Sequence, residues 1–272
     1  MFITQLCTRF ISLKGLRGEL EKTMAESVVN MKEIEDGIVL LKMEDRLHRN
    51  TFSLELIRDL KQSFEAIEKN ETCRTVILTG YDNYFCSGGT QEGLLAINEG
   101  KAQFTEANIY SLPLECRVPV ISAMQGHGIG GGFAFGLFSD FVILGRESVY
   151  TTNFMKYGFT PGMGSTLILT EKLGLSLAQE LLFTARTYRG GELEKRGVPF
   201  PVLPREKVLS HALELAREVA AKPRLSLITL KDHMVEALRK KLPSVIEKEL
   251  VMHDKTFHLP ETKERIMNLF GK

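Results

Sequence analysis

The sequence predicts an α/β fold, and three observations carry that prediction. Short apolar runs recur, at Ile38 to Met43, Arg74 to Thr79, Pro119 to Met124, Phe141 to Leu144 and Val149 to Thr152. Segments with helical spacing separate several of them, which implies crossover connections between strands. Beyond Ser165 the pattern is helical nearly throughout, apart from Val198 to Leu203, so an α/β core carries a helical C-terminal part.

Each element has a local reason. The run Ile38 to Met43 has the length and apolarity of a strand. Ser53 follows as an N-cap, with Glu55 in the first turn, where the helix dipole favours an anion. Leu56, Leu60, Phe64 and Ile67 then fall on one helical face. Arg74 to Thr79 is short and β-branched, ends at Gly80, and reads as a buried strand. A loop is expected from Tyr81 to Thr90, and a polar helical stretch from there to about Cys116. Pro119 to Met124 is a second buried strand, followed by a glycine loop, Gly126 to Gly132, and a helix, Phe133 to Ser139. Thr160-Pro161-Gly162-Met163-Gly164 is a turn, and Gly174 suits a helix C-cap.

The organisation expected is an N-terminal arm over 1–26, a core over 27–220 and a helical region over 221–272. The arm scatters Arg9, Lys14 and Arg17 among short apolar pieces, with neither an apolar h-region nor a small-residue cleavage site, and is expected to be flexible. A formal net charge of +1 gives no bulk attraction for nucleic acid. No apolar run approaches the ~20 residues of a membrane span. Cys7, Cys73, Cys86 and Cys116 form no C-x-x-C pair and read as free thiols of a reducing, cytoplasmic compartment. Cys86 adjoins a glycine loop, but no base accompanies it in sequence, so packing is its expected role.

The glycines are the first sign of chemistry. Gly126, Gly128, Gly130, Gly131 and Gly132 lie between a strand and a helix, where free N–H groups and the helix dipole favour an oxyanion or a phosphate. Gly126-His127-Gly128-Ile129-Gly130-Gly131 satisfies G-x-G-x-x-G, but it sits mid-chain rather than in a first βαβ unit, and Glu147 precedes no suitable strand pattern. A P-loop is excluded because no Gly-Lys-Ser/Thr follows. A second loop, Ser87-Gly88-Gly89, also follows a strand. The pair is read either as two independent tight turns or as two sets of N–H groups converging on one oxygen.

At this point the sequence resembles the crotonase (enoyl-CoA hydratase/isomerase) superfamily, from about Ser27 to Lys272. The resemblance rests on Tyr84-Phe85-Cys86-Ser87-Gly88-Gly89, on Pro119-Val120-Ile121-Ser122-Ala123-Met124-Gln125-Gly126, on Gly130-Gly131-Gly132, and on Gly158-Phe159-Thr160-Pro161-Gly162. It implies a spiral of ββα units, a helical C-terminal trimerisation region, assembly as a homotrimer or hexamer, and an oxyanion hole formed by the N–H groups of Gly89 and Gly131. Hydratases of this family carry two glutamates, where this chain has Ala134 and, nearby, Phe154. Water addition by paired carboxylates therefore lacks its groups.

Gln125-Gly126-His127-Gly128 and the string from Thr152 to Pro161 are similar to the decarboxylating crotonases of polyketide β-branching cassettes, of the bacillaene-pathway type. That resemblance implies loss of CO₂ from 3-methylglutaconyl on an acyl carrier protein, giving a 3-methylcrotonyl thioester. No metal or cofactor is implied for this chain, since the phosphopantetheine belongs to the carrier. The pocket is expected among Phe133, Ala134, Phe154 and His127. Enoyl-CoA isomerase or hydratase activity, and a non-catalytic thioester- or RNA-binding homologue, are the competing readings.

Ile246, Leu250, His253 and Phe257 recur at helical spacing, which by itself describes a core histidine. The resemblance implies instead that His253 contacts the substrate carboxylate or donates the proton. It also implies a lysine after the first glycine loop. Lys101 is the lysine between Gly89 and Cys116, and Lys156 is the alternative. His127 is expected to orient its loop by hydrogen bonding.

Overall fold

The computed structural model describes residues 27–271, so the expectation of a flexible arm over 1–26 lies outside the described residues. The strands are β1 (Val29–Glu35), β2 (Ile38–Met43), β3 (Thr75–Thr79), β4 (Tyr84–Cys86), β5 (Val120–Met124), β6 (His127–Ile129), β7 (Phe141–Gly145), β8 (Val149–Thr151), β9 (Thr187–Arg189) and β10 (Val202–Leu203). They form a six-stranded sheet, β1-β2-β3-β5-β7-β10, and a four-stranded sheet, β4-β6-β8-β9. From β3 to β8 the chain alternates between them. One strand enters the large sheet, the next enters the small one, and a helix follows: β3-β4-helix, then β5-β6-helix. The helical C-terminal part consists mainly of Arg205–Ala220, Arg224–Thr256 and Pro260–Leu269.

The period of two along the central strands explains the layering. Ile38, Ile77, Ile121, Ala123 and Ile143 share one face with Val208, Ala212, Ala216 and Ala220 of the helix Arg205–Ala220. Small residues at every fourth position let that helix lie close to the sheet. Leu41, Val76, Leu78, Val120 and Leu144 belong to the main core, together with Leu56, Leu60, Phe64 and Ile67 of the helix Leu54–Lys69. Ser53 caps that helix as expected, its side chain accepting from the Leu56 N–H.

The structure departs from the sequence reading in three places. The expected loop over 81–90 contains β4, and the glycine loop over 126–132 contains β6; both strands have three residues, too few to show a period. The edge strand β1 is polar, so it shows no apolar pattern. The helical stretch expected to reach Cys116 breaks into Gln91–Asn98, Phe104–Ala107 and Leu112–Glu115.

Candidate active site

The small sheet builds the site. Strands β4, β6 and β8 are parallel neighbours, paired as Cys86 with Gly128 and Ile129 with Thr151. Their C-terminal ends therefore leave the sheet side by side. One leads into Ser87-Gly88-Gly89, the next into Gly130-Gly131-Gly132, and the third toward Asn153 and Phe154. Ligands of open parallel sheets bind at such ends.

The loops touch closely enough to require glycine. A Cβ on Gly132 would lie 2.2 Å from the Cys86 carbonyl oxygen. Gly88 (φ +77°) and Gly130 (φ +55°) occupy backbone conformations that other residues adopt with strain. A Cβ on Gly130 would also meet Asn153 Oδ1 at 2.6 Å, which ties the second loop to the third. The first loop is held from behind as well. Phe52 N–H donates to the Gly88 carbonyl (2.7 Å), and Ser87 N–H donates to the Asn50 carbonyl (2.9 Å). The wholly buried Asn50 amide donates to the carbonyls of Met43 and Phe85 (3.0 Å each).

Gly89 and Gly131 both line a cavity of about 490 Å³. Among the described residues, neither gives its N–H to a protein acceptor. Phe104, Phe154, Phe159, Leu94 and Met163 form apolar wall, and Lys156, Arg49 and His48 also line it. No aspartate or glutamate lines it among the described residues.

The residues singled out by sequence are distributed around this space unevenly. Phe154 is in the wall, whereas Phe133 and Ala134 are wholly buried in the core behind it. His127 lies outside the lining, on β6, and its Nδ1 accepts from the Val149 N–H (2.9 Å). Burial, then Arg205 and Arg189, hold its pKa below the usual value, which fits a neutral ring stitching β6 to β8. Lys101 departs from the expectation that it enters the pocket: its ammonium is exposed and pairs with Glu99 at 2.7 Å, outside the cavity wall. Lys156, the alternative, is in the wall.

His253 is buried and stands behind the cavity, its ring 4.9 Å from that of Phe104 and 6.4 Å from that of Phe159. Its Nε2 lies 2.8 Å from the Thr160 carbonyl, so that nitrogen carries the proton and donates. Burial pushes its pKa down, and the Thr160 carbonyl opposes this. Cys86 is wholly buried and its thiol is pushed up to about 12, which suits packing and not nucleophilic attack.

Sequence reading missed Asn50, Phe104 and Met163. Asn50 has no motif around it. Phe104 is a single aromatic residue in a polar stretch, and that isolation was the available signal.

The Enoyl-CoA hydratase/isomerase family model matches residues 33–270. The chain is 64% identical to Bacillaene synthase decarboxylase PksI of Bacillus subtilis (strain 168), over 91% of this chain and all of that one. A solved structure from a dehydratase/decarboxylase enzyme couple involved in polyketide β-branching superposes with a TM-score of 0.90, at 64% identity over 90% of this chain and all of that one. The ECH2 decarboxylase domain of CurF from Lyngbya majuscula superposes with a TM-score of 0.87, at 45% identity over 90% of this chain and 100% of that domain. The chain belongs to the enoyl-CoA hydratase/isomerase (crotonase) family, and within it to the decarboxylases of polyketide β-branching.

Proposed function

We propose that the chain removes CO₂ from a 3-methylglutaconyl thioester carried on an acyl carrier protein and releases the 3-methylcrotonyl thioester. One observation carries the reading. Two glycine N–H groups without protein acceptors among the described residues face a cavity whose described lining holds no carboxylate. Such a site polarises a carbonyl but lacks the paired acids that activate water.

The thioester oxygen accepts from the Gly89 and Gly131 N–H groups. The bond to the distal carboxylate breaks, and its electron pair runs through the alkene to that oxygen, giving CO₂ and a dienolate. Each donor placed at the charge-developing oxygen contributes roughly 3–4 kcal/mol. The aromatic wall of Phe104, Phe154 and Phe159 disfavours the charged carboxylate relative to neutral CO₂. Lys156 holds the carboxylate before cleavage. His253 takes up a proton from solvent and passes it to the dienolate once Phe104 moves aside, and His127 keeps β6 and β8 in register. The phosphopantetheine arm comes with the carrier, so this chain supplies only residues.

A second copy fits the face bearing Leu230 and Met234, which are 57% and 71% exposed and line one groove. Large exposed apolar residues grouped on one helix mark an association surface, and a trimer or a pair of trimers would cover them. Sedimentation of the purified protein reads this directly.

The reaction is tested by incubating the protein with 3-methylglutaconyl carrier protein and following the acyl chain by mass. Loss of the mass of CO₂ supports the reading. Addition of water, or alkene migration at constant mass, would replace it with hydratase or isomerase chemistry.

A further inference from the structure

Glu249 is a buried carboxylate, 2% exposed, with no cation beside it among the described residues. An apolar residue would join the helix Arg224–Thr256 to its neighbours without the desolvation cost of such a group. What Glu249 holds is therefore informative. One oxygen accepts from the Gly164 N–H (2.7 Å). The other accepts from both the N–H (2.9 Å) and the hydroxyl (2.6 Å) of Thr166. Three donors converge on it, at the N-terminus of the helix Ser165–Leu173, where an anion is favoured.

His253 lies four residues further along the same helix, so both side chains leave the same face. It grips the other end of the same turn, through Thr160. Between the two grips are Gly162 and Met163. A Cβ on Gly162 would lie 2.2 Å from His253 Cε1, so the turn presses directly on the imidazole. Met163 holds a left-handed conformation (φ +61°), and its sulfur lies 2.8 Å from where a Cβ on Gly131 would stand. Such a conformation persists in a non-glycine residue only when its surroundings fix it. The Gly164 N–H, held by Glu249, is the next group along the chain.

We propose that Glu249 is a positioning residue: it clamps the 160–166 turn and so sets His253 on one side and the Met163–Gly131 contact on the other. The inference rests on the decarboxylase reading for its kinetic test, and on geometry alone for its spectroscopic one.

Glu249→Gln keeps the side-chain shape but replaces one acceptor oxygen by an NH₂ that faces a donor. Either Gly164 or Thr166 is then released. The expected result is a fall in kcat of roughly 10- to 100-fold, because ångström-scale misplacement of reacting groups costs about that much. KM is expected to change little, since the oxyanion contacts strengthen mainly in the transition state. Thr166→Val trims one arm of the clamp and is expected to lower kcat less. The double variant is expected to be no slower than Glu249→Gln, because both cut one clamp. A kcat equal to wild type with only a lower Tm, or additive losses in the double variant, would overturn the proposal.

Histidine labelled with ¹⁵N supplies the independent reading. The His253 Nε2 signal is expected to move in both variants, and an unmoved signal refutes the clamp. If the wild type decarboxylates nothing and the signal still moves, the functional reading fails and the clamp stands. If Glu249→Gln does not fold, Thr166→Val, which alters a half-buried hydroxyl, gives the same two readings.

Discussion

Gly132→Ala tests the architecture of the site most directly, because Gly132 contributes no atom to the cavity lining and acts only through closeness. Its added Cβ would stand 2.2 Å from the Cys86 carbonyl oxygen and 2.6 Å from the carbonyl carbon. Both are backbone atoms at the end of β4, so no side chain can rotate away. Real Cβ contacts do not fall below 3.0 Å, so the two glycine loops must part by about 0.8 Å, the shortfall between those values. Overpacking of this kind costs about 1–3 kcal/mol. For a chain of this size that is several degrees of Tm, at ~2–4 °C per kcal/mol. The larger effect is kinetic. Moving Gly131 away from Gly89 by nearly an ångström misplaces one of the two proposed oxyanion donors, which is expected to cost about 100-fold in rate. Gly89→Ala is the matched control. Its Cβ meets only the Leu94 side chain, at 3.4 Å and 3.5 Å, its φ is not in the left-handed region, and its N–H is retained. It is expected to leave the melting temperature nearly unchanged, a substitution that disturbs no protein contact costing within about 0.5 kcal/mol. Rates come from mass-resolved turnover of the carrier-bound thioester, with melting curves alongside. Full activity in Gly132→Ala, or equal losses of melting temperature in both variants, would refute the idea that contact between the loops sets the donors.

Other consequences follow from the side chains around the cavity. Lys156→Ala is expected to lower kcat/KM by at least 10-fold if its ammonium holds the carboxylate, a charge-assisted contact being worth ~1.5–3 kcal/mol, whereas Lys101→Ala, which breaks an exposed pair with Glu99, should stay within about 2-fold; steady-state kinetics on both variants decides between the two lysines. Burial lowers the folded-state pKa of His253 beneath its ordinary 6.5, so its contribution to stability is complete above that pH and is lost as pH falls through the window beneath it. Melting temperatures measured downward from pH 6.5 should drop more steeply for wild type than for His253→Gln, with the part due to His127, also shifted down by burial, remaining in both. Asp140 neutralises the buried Lys231 at 2.7 Å, and Lys172 lies nearby. Asp140→Ala should therefore cost about 3–5 kcal/mol in denaturant unfolding, as expected when one member of a buried pair is removed.

The elements legible in the sequence were those long enough to show a period. Leu56, Leu60, Phe64 and Ile67 marked the first helix because successive turns repeat the same spacing, and Ser53 marked its start because capping is a local interaction. Strands β2, β3, β5 and β7 were legible because both their faces are buried, so their apolar runs are continuous. In the small sheet β8 was legible, as the run Val149 to Thr152, and its partners were hidden for the complementary reason. β4, β6 and β9 have three residues each. They are defined by pairing with strands distant in sequence, and a single chain read in order carries no sign of that pairing.

The same contrast divides the site. Its glycines could be read because a missing side chain at a loop has few local explanations, and two such loops after strands invite one explanation together. The residues that give those glycines their geometry could not. Asn50 acts across a fold contact with Phe85, 35 residues away, and Glu249 acts on Gly164, 85 residues away. Lys101 and Lys156 show what sequence distance conceals. Lys101 follows the first glycine loop in the chain, but its exposed ammonium turns to Glu99, outside the cavity wall that Phe104 rejoins three residues later. Lys156 is far from both loops in sequence, yet it leaves β8, whose end emerges beside β6. The parallel register of three short strands, and not proximity along the chain, therefore decides which lysine lines the cavity.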